Sequence, residues 1–227
     1  MKYTRVLQKY ADLPKGTFLL GFVALINALF AFLREATIAY YLGASDELDA
    51  FVMALTIPKI LSLGFVQISA SAILKVYLYY KKKKKKKEAV LLIQKWFFFS
   101  GIAVVTTSFV LYLFSEDIIH LISPGFDERK RAIASQWFRC LLPYLAIFSL
   151  SGSFKVILDS HKKYFYPAVS ASIISITAVI FVVLGSKESI LACLCLGLTA
   201  GAIIATLCQF FAARKHERLP SWINTND

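Results

Sequence analysis

Residues 48–80 read LDAFVMALTIPKILSLGFVQISASAILKVYLYY, and residues 81–87 are seven consecutive lysines. After Asp49 the apolar stretch carries only Lys59 and Lys75 as charges. A helix of about 20 apolar residues crosses the roughly 30 Å of bilayer hydrocarbon, so this run is long enough to cross with tilt or a bend. Pro58 removes a backbone donor from its interior and is expected to kink it. The switch from apolar to cationic sequence at Lys81 marks a boundary between membrane and water.

Outward from this run lie five more of the same kind, at about 17–42, 89–114, 132–154 (with Pro143 inside), 164–184 and 189–213. Lipid offers no hydrogen-bonding partner to the backbone, so each span is expected to be a helix. The composition agrees. Of 227 residues 58% are hydrophobic and 15% aromatic, against about 45–50% apolar for a soluble domain. That excludes a soluble enzyme and a disordered chain. The reading is an all-α membrane protein, with residues 1–227 forming a single lobe of six transmembrane helices.

The 26 basic residues outnumber the 14 acidic ones, for a net charge of +12. Because the bases interrupt apolar runs, they point to membrane topology rather than to nucleic acid. Lys2, Arg5, Lys9 and Lys15, the lysine run, Lys162 with Lys163, and Arg214, Lys215 and Arg218 all fall on one side of a six-span arrangement. The other side receives Asp46, Glu47 and Asp49, then residues 116–131, then Lys187 with Glu188. Arg129, Lys130 and Arg131 weaken the contrast in the middle loop. The positive-inside rule places both termini in the cytoplasm, and the first span is expected to stay as an uncleaved helix, being longer than a signal-peptide core. The lysine run reads as a solvated topogenic loop, and it also offers attraction to anionic headgroups.

Charges inside spans are costly and mark candidate sites. Arg34 and Glu35 lie in the outer part of the first helix. Adjacent residues project about 100° apart, so the pair is expected to meet poorly, with Arg34 turned inward. Asp49 opens the second helix, where it either complements the helix dipole or partners Arg34 across the short loop. Lys59 beside Pro58, and Gln67 further along, form a polar stripe suited to a cavity or to tight packing. Arg139 lies in the fourth span. Arg34, Asp49, Lys59, Gln67 and Arg139 are therefore the candidate substrate-binding residues. In the sixth span Cys193, Gly197, Gly201 and Ala205 repeat every four residues, a stripe that favours close helix approach within the bundle or between copies. The four cysteines sit in apolar segments without metal-ligand spacing. No nucleotide-binding, zinc-protease or serine-hydrolase motif occurs, so neither enzyme activity nor a cofactor or metal is expected.

Two segments resemble a known family. The first is Arg34-Glu35-Ala36-Thr37-Ile38-Ala39-Tyr40-Tyr41-Leu42-Gly43-Ala44, followed by Asp49-Ala50-Phe51 and Pro58. The second is Ser123-Pro124-Gly125-Phe126, then Arg139, Pro143-Tyr144, Ile157-Leu158-Asp159 and Pro167-Ala168. Order and spacing are similar to those of the MurJ/MviN lipid II flippases, members of the multidrug/oligosaccharidyl-lipid/polysaccharide exporter superfamily. The resemblance implies one lobe of a two-lobe transporter that moves an undecaprenyl-pyrophosphate-linked saccharide across the bacterial inner membrane by alternating access. It carries the family's essential arginine and aspartate onto Arg34 and Asp49. Other positions depart from the family pattern: its earlier first-helix arginine falls at Ala28, its paired arginines at Ser62 and Leu63, and its glutamate at Gln67. Two expectations follow. One is a half-length flippase, for lipid II or another lipid-linked polysaccharide unit, completed by a companion chain or a second copy, with Gly197 and Gly201 as a candidate contact. The other is a truncated or degenerate relative that does not transport.

The topology has a direct check. Single cysteines placed at Asp46 and Lys84 in a cysteine-free background should label from opposite sides of the membrane, and labelling from one side would refute the six-span arrangement.

Overall fold

The computed structural model describes residues 2–185 and 189–216, with side chains for all of these except 2–17, Lys86 and His216. All regular structure among the described residues is helical: α1 (Lys2–Leu42), α2 (Asp46–Ile68), a π-helical turn (Ser69–Ile73), α3 (Leu74–Lys82), α4 (Lys86–Leu113), α5 (Ser115–Ile122), α6 (Glu128–Ser160), α7 (Phe165–Leu184) and α8 (Ile190–His216). Six stretches are long and apolar enough to cross a membrane: Phe18–Leu42, Asp46–Lys82, Lys87–Leu113, Glu128–Ser160, Phe165–Leu184 and Ile190–Lys215. Lys187, Glu188 and Arg218 lie outside the described residues, as do the side chains of Lys2, Arg5, Lys9 and Lys15.

Local sequence sets the helix ends. Gly43 closes α1 with φ +59°, the left-handed conformation that glycine adopts without steric cost. Ser45 then caps α2, its Oγ accepting from Leu48 N at 3.2 Å. Asp46, Glu47 and Asp49 occupy the first turn of that helix, where their charge complements the helix dipole. Asp127 caps α6 in the same way, accepting from Lys130 N at 2.9 Å.

The structure differs from the sequence reading in three places. Helix α2 is not interrupted at Pro58, and a π-helical turn that the sequence reading did not anticipate follows at Ser69–Ile73. The segment after the third span is not simply a loop. It holds α5, which buries Ser115 and Ile119 against the bundle. The glycine stripe of α8 is occupied within the chain. A Cβ at Gly201 would lie 2.7 Å from Ile174 Cα, and one at Gly197 would lie 2.8 Å from Ala178 Cα, so α7 and α8 meet backbone to backbone. That face cannot also receive a second copy.

Helix α6 is the centre of the bundle. Of its most apolar stretch 61% is buried, against 6% for α1 and 11% for α4. It packs on α2, α4, α5 and α8. Two of its interior serines return their hydroxyls to its own backbone, Ser149 Oγ to Leu145 O at 2.6 Å and Ser151 Oγ to Phe148 O at 2.7 Å, so these two add little bulk and ask nothing of neighbouring helices. Helix α1 stands at the periphery and rests mainly on α7. Among the described side chains of α1, Asn27 hydrogen-bonds it to α7: its Nδ2 donates to Ala168 O at 2.8 Å, and its Oδ1 accepts from Ser172 Oγ. Phe22, Leu25 and Phe32 on α1, with Phe98, Phe99 and Phe109 on α4, are exposed and form a surface for acyl chains.

The second span comes close to α6 at Gly152. A Cβ there would lie 2.8 Å from Ser69 Oγ and 3.0 Å from Val66 Cα. Since one obstacle is backbone, the helices themselves must separate. Gly152→Ala should destabilise the protein in detergent by about 1–3 kcal/mol. Gly64→Ala, where nothing lies within 4 Å, should be neutral or stabilise by about 0.5–1 kcal/mol. Thermal unfolding of the two variants side by side tests the contact.

Candidate substrate cleft

A cleft of about 120 Å³ opens where α1, α2 and α8 meet. Its floor is apolar, with Phe51 and Leu55 from α2 and Leu194 and Leu198 from α8. Its polar groups are Arg34, Glu35, Thr56 and Lys59. Arg34 is the more enclosed of its pair, with 17% of its side chain exposed against 62% for Glu35. The two do pair, contrary to the expectation from their helical positions. The arginine folds sideways so that Nη2 and Nε both donate to Glu35 Oε1, at 2.6 and 3.3 Å. A long, flexible guanidinium stem overcomes the angle between adjacent Cβ vectors. Among the described residues no carboxylate pairs with Lys59, so the cleft holds two cations against one acid and presents net positive charge to an anion.

The remaining candidates lie elsewhere. Asp49 does not meet Arg34. Lys130 Nζ takes it at 3.3 Å, and takes Asp46 at 2.6 Å. Lys130 also sits over the Phe126 ring, 5.2 Å from its centroid. This clamp ties the start of α2 to the start of α6. Sequence reasoning treated Lys130 only as a loop charge, because the contact joins residues far apart in the chain. Gln67 is exposed and does not line the cleft. Arg139 is committed to the α4–α5 side of α6. Its Nε donates to Ser115 Oγ at 2.6 Å, its Nη2 to Glu116 Oε1 at 2.8 Å, and its guanidinium lies 5.6 Å from the Tyr112 ring centroid.

The positions matching the family's paired arginines bring no charge here. Ser62 is fully buried and donates to Lys59 O at 2.9 Å, while Leu63 is exposed. The Ser-Pro-Gly-Phe segment is a structural turn: Phe126 N bonds Ser123 O at 3.1 Å, and Arg131 Nη2 bonds Pro124 O at 2.9 Å. A larger cavity of about 340 Å³ lies between the starts of α6 and α8, but its lining includes Glu47 and no Lys or Arg, so it does not suit an anion.

The architecture defines the class as an all-helical, multi-span membrane protein with a cation-bearing cleft beside its least buried helix. The profile of the family described as "Lipid II flippase MurJ" matches residues 38–227. The chain is 33% identical over 173 residues to the "Probable lipid II flippase MurJ" of Buchnera aphidicola subsp. Schizaphis graminum, a match covering 75% of this chain and 34% of that protein. To the "Lipid II flippase MurJ" of Thermosipho africanus it is 26% identical over 203 residues, covering 88% and 40%. A solved structure, "Lipid II flippase MurJ, inward closed conformation", superposes with a TM-score of 0.72 at 24% identity, covering 88% of this chain and 42% of that one, and so shares the fold. The chain belongs to the MurJ family. It spans about a third of the length of the Buchnera relative.

The Lys130 clamp makes a measurable claim. Lys130→Met leaves Asp46 and Asp49 as unopposed like charges in the first turn of α2. The variant should unfold at a lower temperature than the parent in low salt, and the gap should narrow in high salt, where such charges are screened.

Proposed function

We propose that this chain forms the N-terminal lobe of a flippase for a lipid-linked saccharide carrying a pyrophosphate, with lipid II as the first substrate to test. The observation that carries the reading is the placement of Arg34 and Lys59 in one cleft with a single acid. Arg34 supplies a planar fork that matches phosphate oxygens, and Lys59 a point charge. Pyrophosphate oxygens compete with Glu35 for the guanidinium, so Glu35 keeps Arg34 satisfied while the cleft is empty. The apolar floor and the exposed α1 surface suit the prenyl tail. The process moves the substrate without making or breaking a covalent bond.

The cleft is small for a saccharide head. The reading therefore includes a second lobe facing this one, whether continuous with this chain, a companion chain or a second copy, with alternating access arising from motion of one lobe against the other. The charge pattern supports placement in the bacterial inner membrane with both termini cytoplasmic. Asp49 takes part by holding α2 in place through Lys130 rather than by touching substrate.

A second reading, a relative that does not transport, is favoured by one observation. Ser62 and Leu63 bring no charge to the cleft, which leaves fewer cations for a pyrophosphate than the family pattern provides.

Rescue of bacteria depleted of their own lipid II flippase separates the readings, with the chain expressed alone and together with the C-terminal portion of a relative. The transport reading expects rescue in at least one case. It expects Arg34→Ala and Lys59→Ala each to lower lipid II translocation by about ten- to a hundredfold, the loss of a charged hydrogen bond. Arg129→Ala, at an exposed position away from the cleft, should leave translocation intact. Failure to rescue in either setting, with the chain present in the membrane, favours the non-transporting reading.

A further inference from the structure

The α3–α4 turn and the α6–α7 turn are joined into one surface. Lys81 Nζ lies 3.0 Å from His161 Nε2. His161 Nδ1 lies 3.0 Å from the Ile157 carbonyl oxygen, which can only accept. Ser160 Oγ also lies 3.1 Å from Nδ1, and the tautomer with its hydrogen on Nδ1 satisfies the carbonyl and lets Nε2 accept from the lysine. Beneath this bridge is a small apolar core built from Tyr77, Ile93, Val156, Ile157 and Ala213, which draws the ends of α3, α4, α6 and α8 together. The turns are shaped rather than extended: Lys84 and Lys162 hold φ of +59° and +58°.

The resulting face is strongly cationic. The lysines at 82–85 are exposed, as are Lys162 and Lys163, and Arg214 and Lys215 follow Ala213 directly. The nearby acids do not offset them. Glu88 is engaged by Lys85 at 2.8 Å, which holds the Lys85 ammonium above the usual lysine range. Asp159 is buried at 8% exposure and paired with Lys155 at 2.9 Å. Aromatic side chains fix the depth of the face. Lys83 Nζ lies 4.6 Å from the Tyr79 ring centroid, and Tyr79, Tyr164 and Tyr166 are exposed at the ends of membrane-spanning helices. Exposed tyrosines at span ends settle at headgroup level, so an ammonium resting on one is held at the depth of lipid phosphates.

We propose that this composite face binds anionic phospholipid headgroups, of the phosphatidylglycerol class, in the leaflet it meets. Charge complementarity and interfacial depth favour lipid over nucleic acid, which would need the lysines raised clear of the tyrosine belt. The lysine run supplies density of charge, and the α6–α7 turn supplies the second wall. This role is separate from the Arg34 cleft and holds whether or not the protein transports.

The test uses the whole chain in mixed phosphatidylglycerol–phosphatidylcholine bilayers of equal leaflet composition, with spin-labelled lipids reporting relative association. Sidedness of insertion then does not matter. The expected preference for phosphatidylglycerol is about fivefold or more at low salt, falling as salt is added. Replacing lysines 82–85 with Gln should remove part of the preference, Lys162→Gln with Lys163→Gln a further part, and the two sets together nearly all of it. Arg129→Gln should change nothing. Equal retention of the two lipids by the unaltered protein, a preference insensitive to salt, or a preference surviving both sets of substitutions would overturn the proposal. Loss of the whole preference on changing the lysine run alone would overturn the composite face. Tight binding of a single-stranded oligonucleotide, with no lipid preference, would assign the face to nucleic acid instead.

Discussion

The rest of the bundle depends on how closely α6 can be approached. A helix enclosed on several sides inside a membrane gains nothing from expelling water, because acyl chains are as apolar as leucine, and association rests on van der Waals contact over short distances. Gly152 provides that contact with the α2 end of the second span, and the self-bonded serines of α6 keep its surface low. The same solution recurs between α7 and α8, where Gly197 and Gly201 sit against the backbone of Ala178 and Ile174. These glycine-mediated contacts leave α1 as the loosely held helix, fastened by Asn27 to α7, and the cleft opens beside it.

That arrangement gives the cleft its electrostatic character. Arg34 stands on the peripheral helix, Lys59 on α2, and the floor comes from apolar positions of α2 and α8. Because α1 makes few buried contacts, the arginine can shift its hydrogen bonds from Glu35 to a ligand without breaking a packed core. The clamp of Lys130 on Asp46 and Asp49 does the opposite for α2, pinning its start to α6. The cleft thus sets a cation on a held helix beside an adaptable cation on a lightly held one, and the proposed pyrophosphate reading rests on that pairing.

Much of the fold was legible because crossing a bilayer imposes a coarse rule: a run of apolar residues of sufficient length must be helical, and loops of alternating charge count the runs. Six spans followed from that. Features set by tertiary contact were not legible. The ion pair of Lys130 joins positions 81 residues apart from Asp49, and no local pattern announces it. Arg34 and Glu35 meet because side-chain length defeats a rule about Cβ directions. Helix α5 was hidden by its brevity, since eight residues cannot span and so look like connection. The π turn fell on a stretch rich in serine and alanine, Ser69–Ile73, where no proline or glycine announces it. The stripe in α8 was correctly seen as a packing signal, but only the structure shows which helix uses it. Of the five candidate residues, Arg34 and Lys59 share a cleft. Asp49, Gln67 and Arg139 are ordinary polar positions by sequence, and their neighbours decided their surroundings.

The π turn resets the phase of the second span. Its inward stripe in α2 is Ala50, Phe51, Ala54, Pro58, Ser62 and Val66, continued by Ser69, at the steps of three and four that an α-helix requires. Carried on without interruption, that rhythm would bring Val76 inward. Val76 is instead 43% exposed and Tyr77 is fully buried. The wide turn absorbs one additional residue, and everything beyond it is rotated by about a hundred degrees. It is this rotation that turns Tyr77, and one helical turn later Lys81, toward α6 and His161. A single span thus reads the bundle in two registers, one serving the cleft and the other the lysine-bearing end, and Ser69–Ile73 is the place where they are spliced.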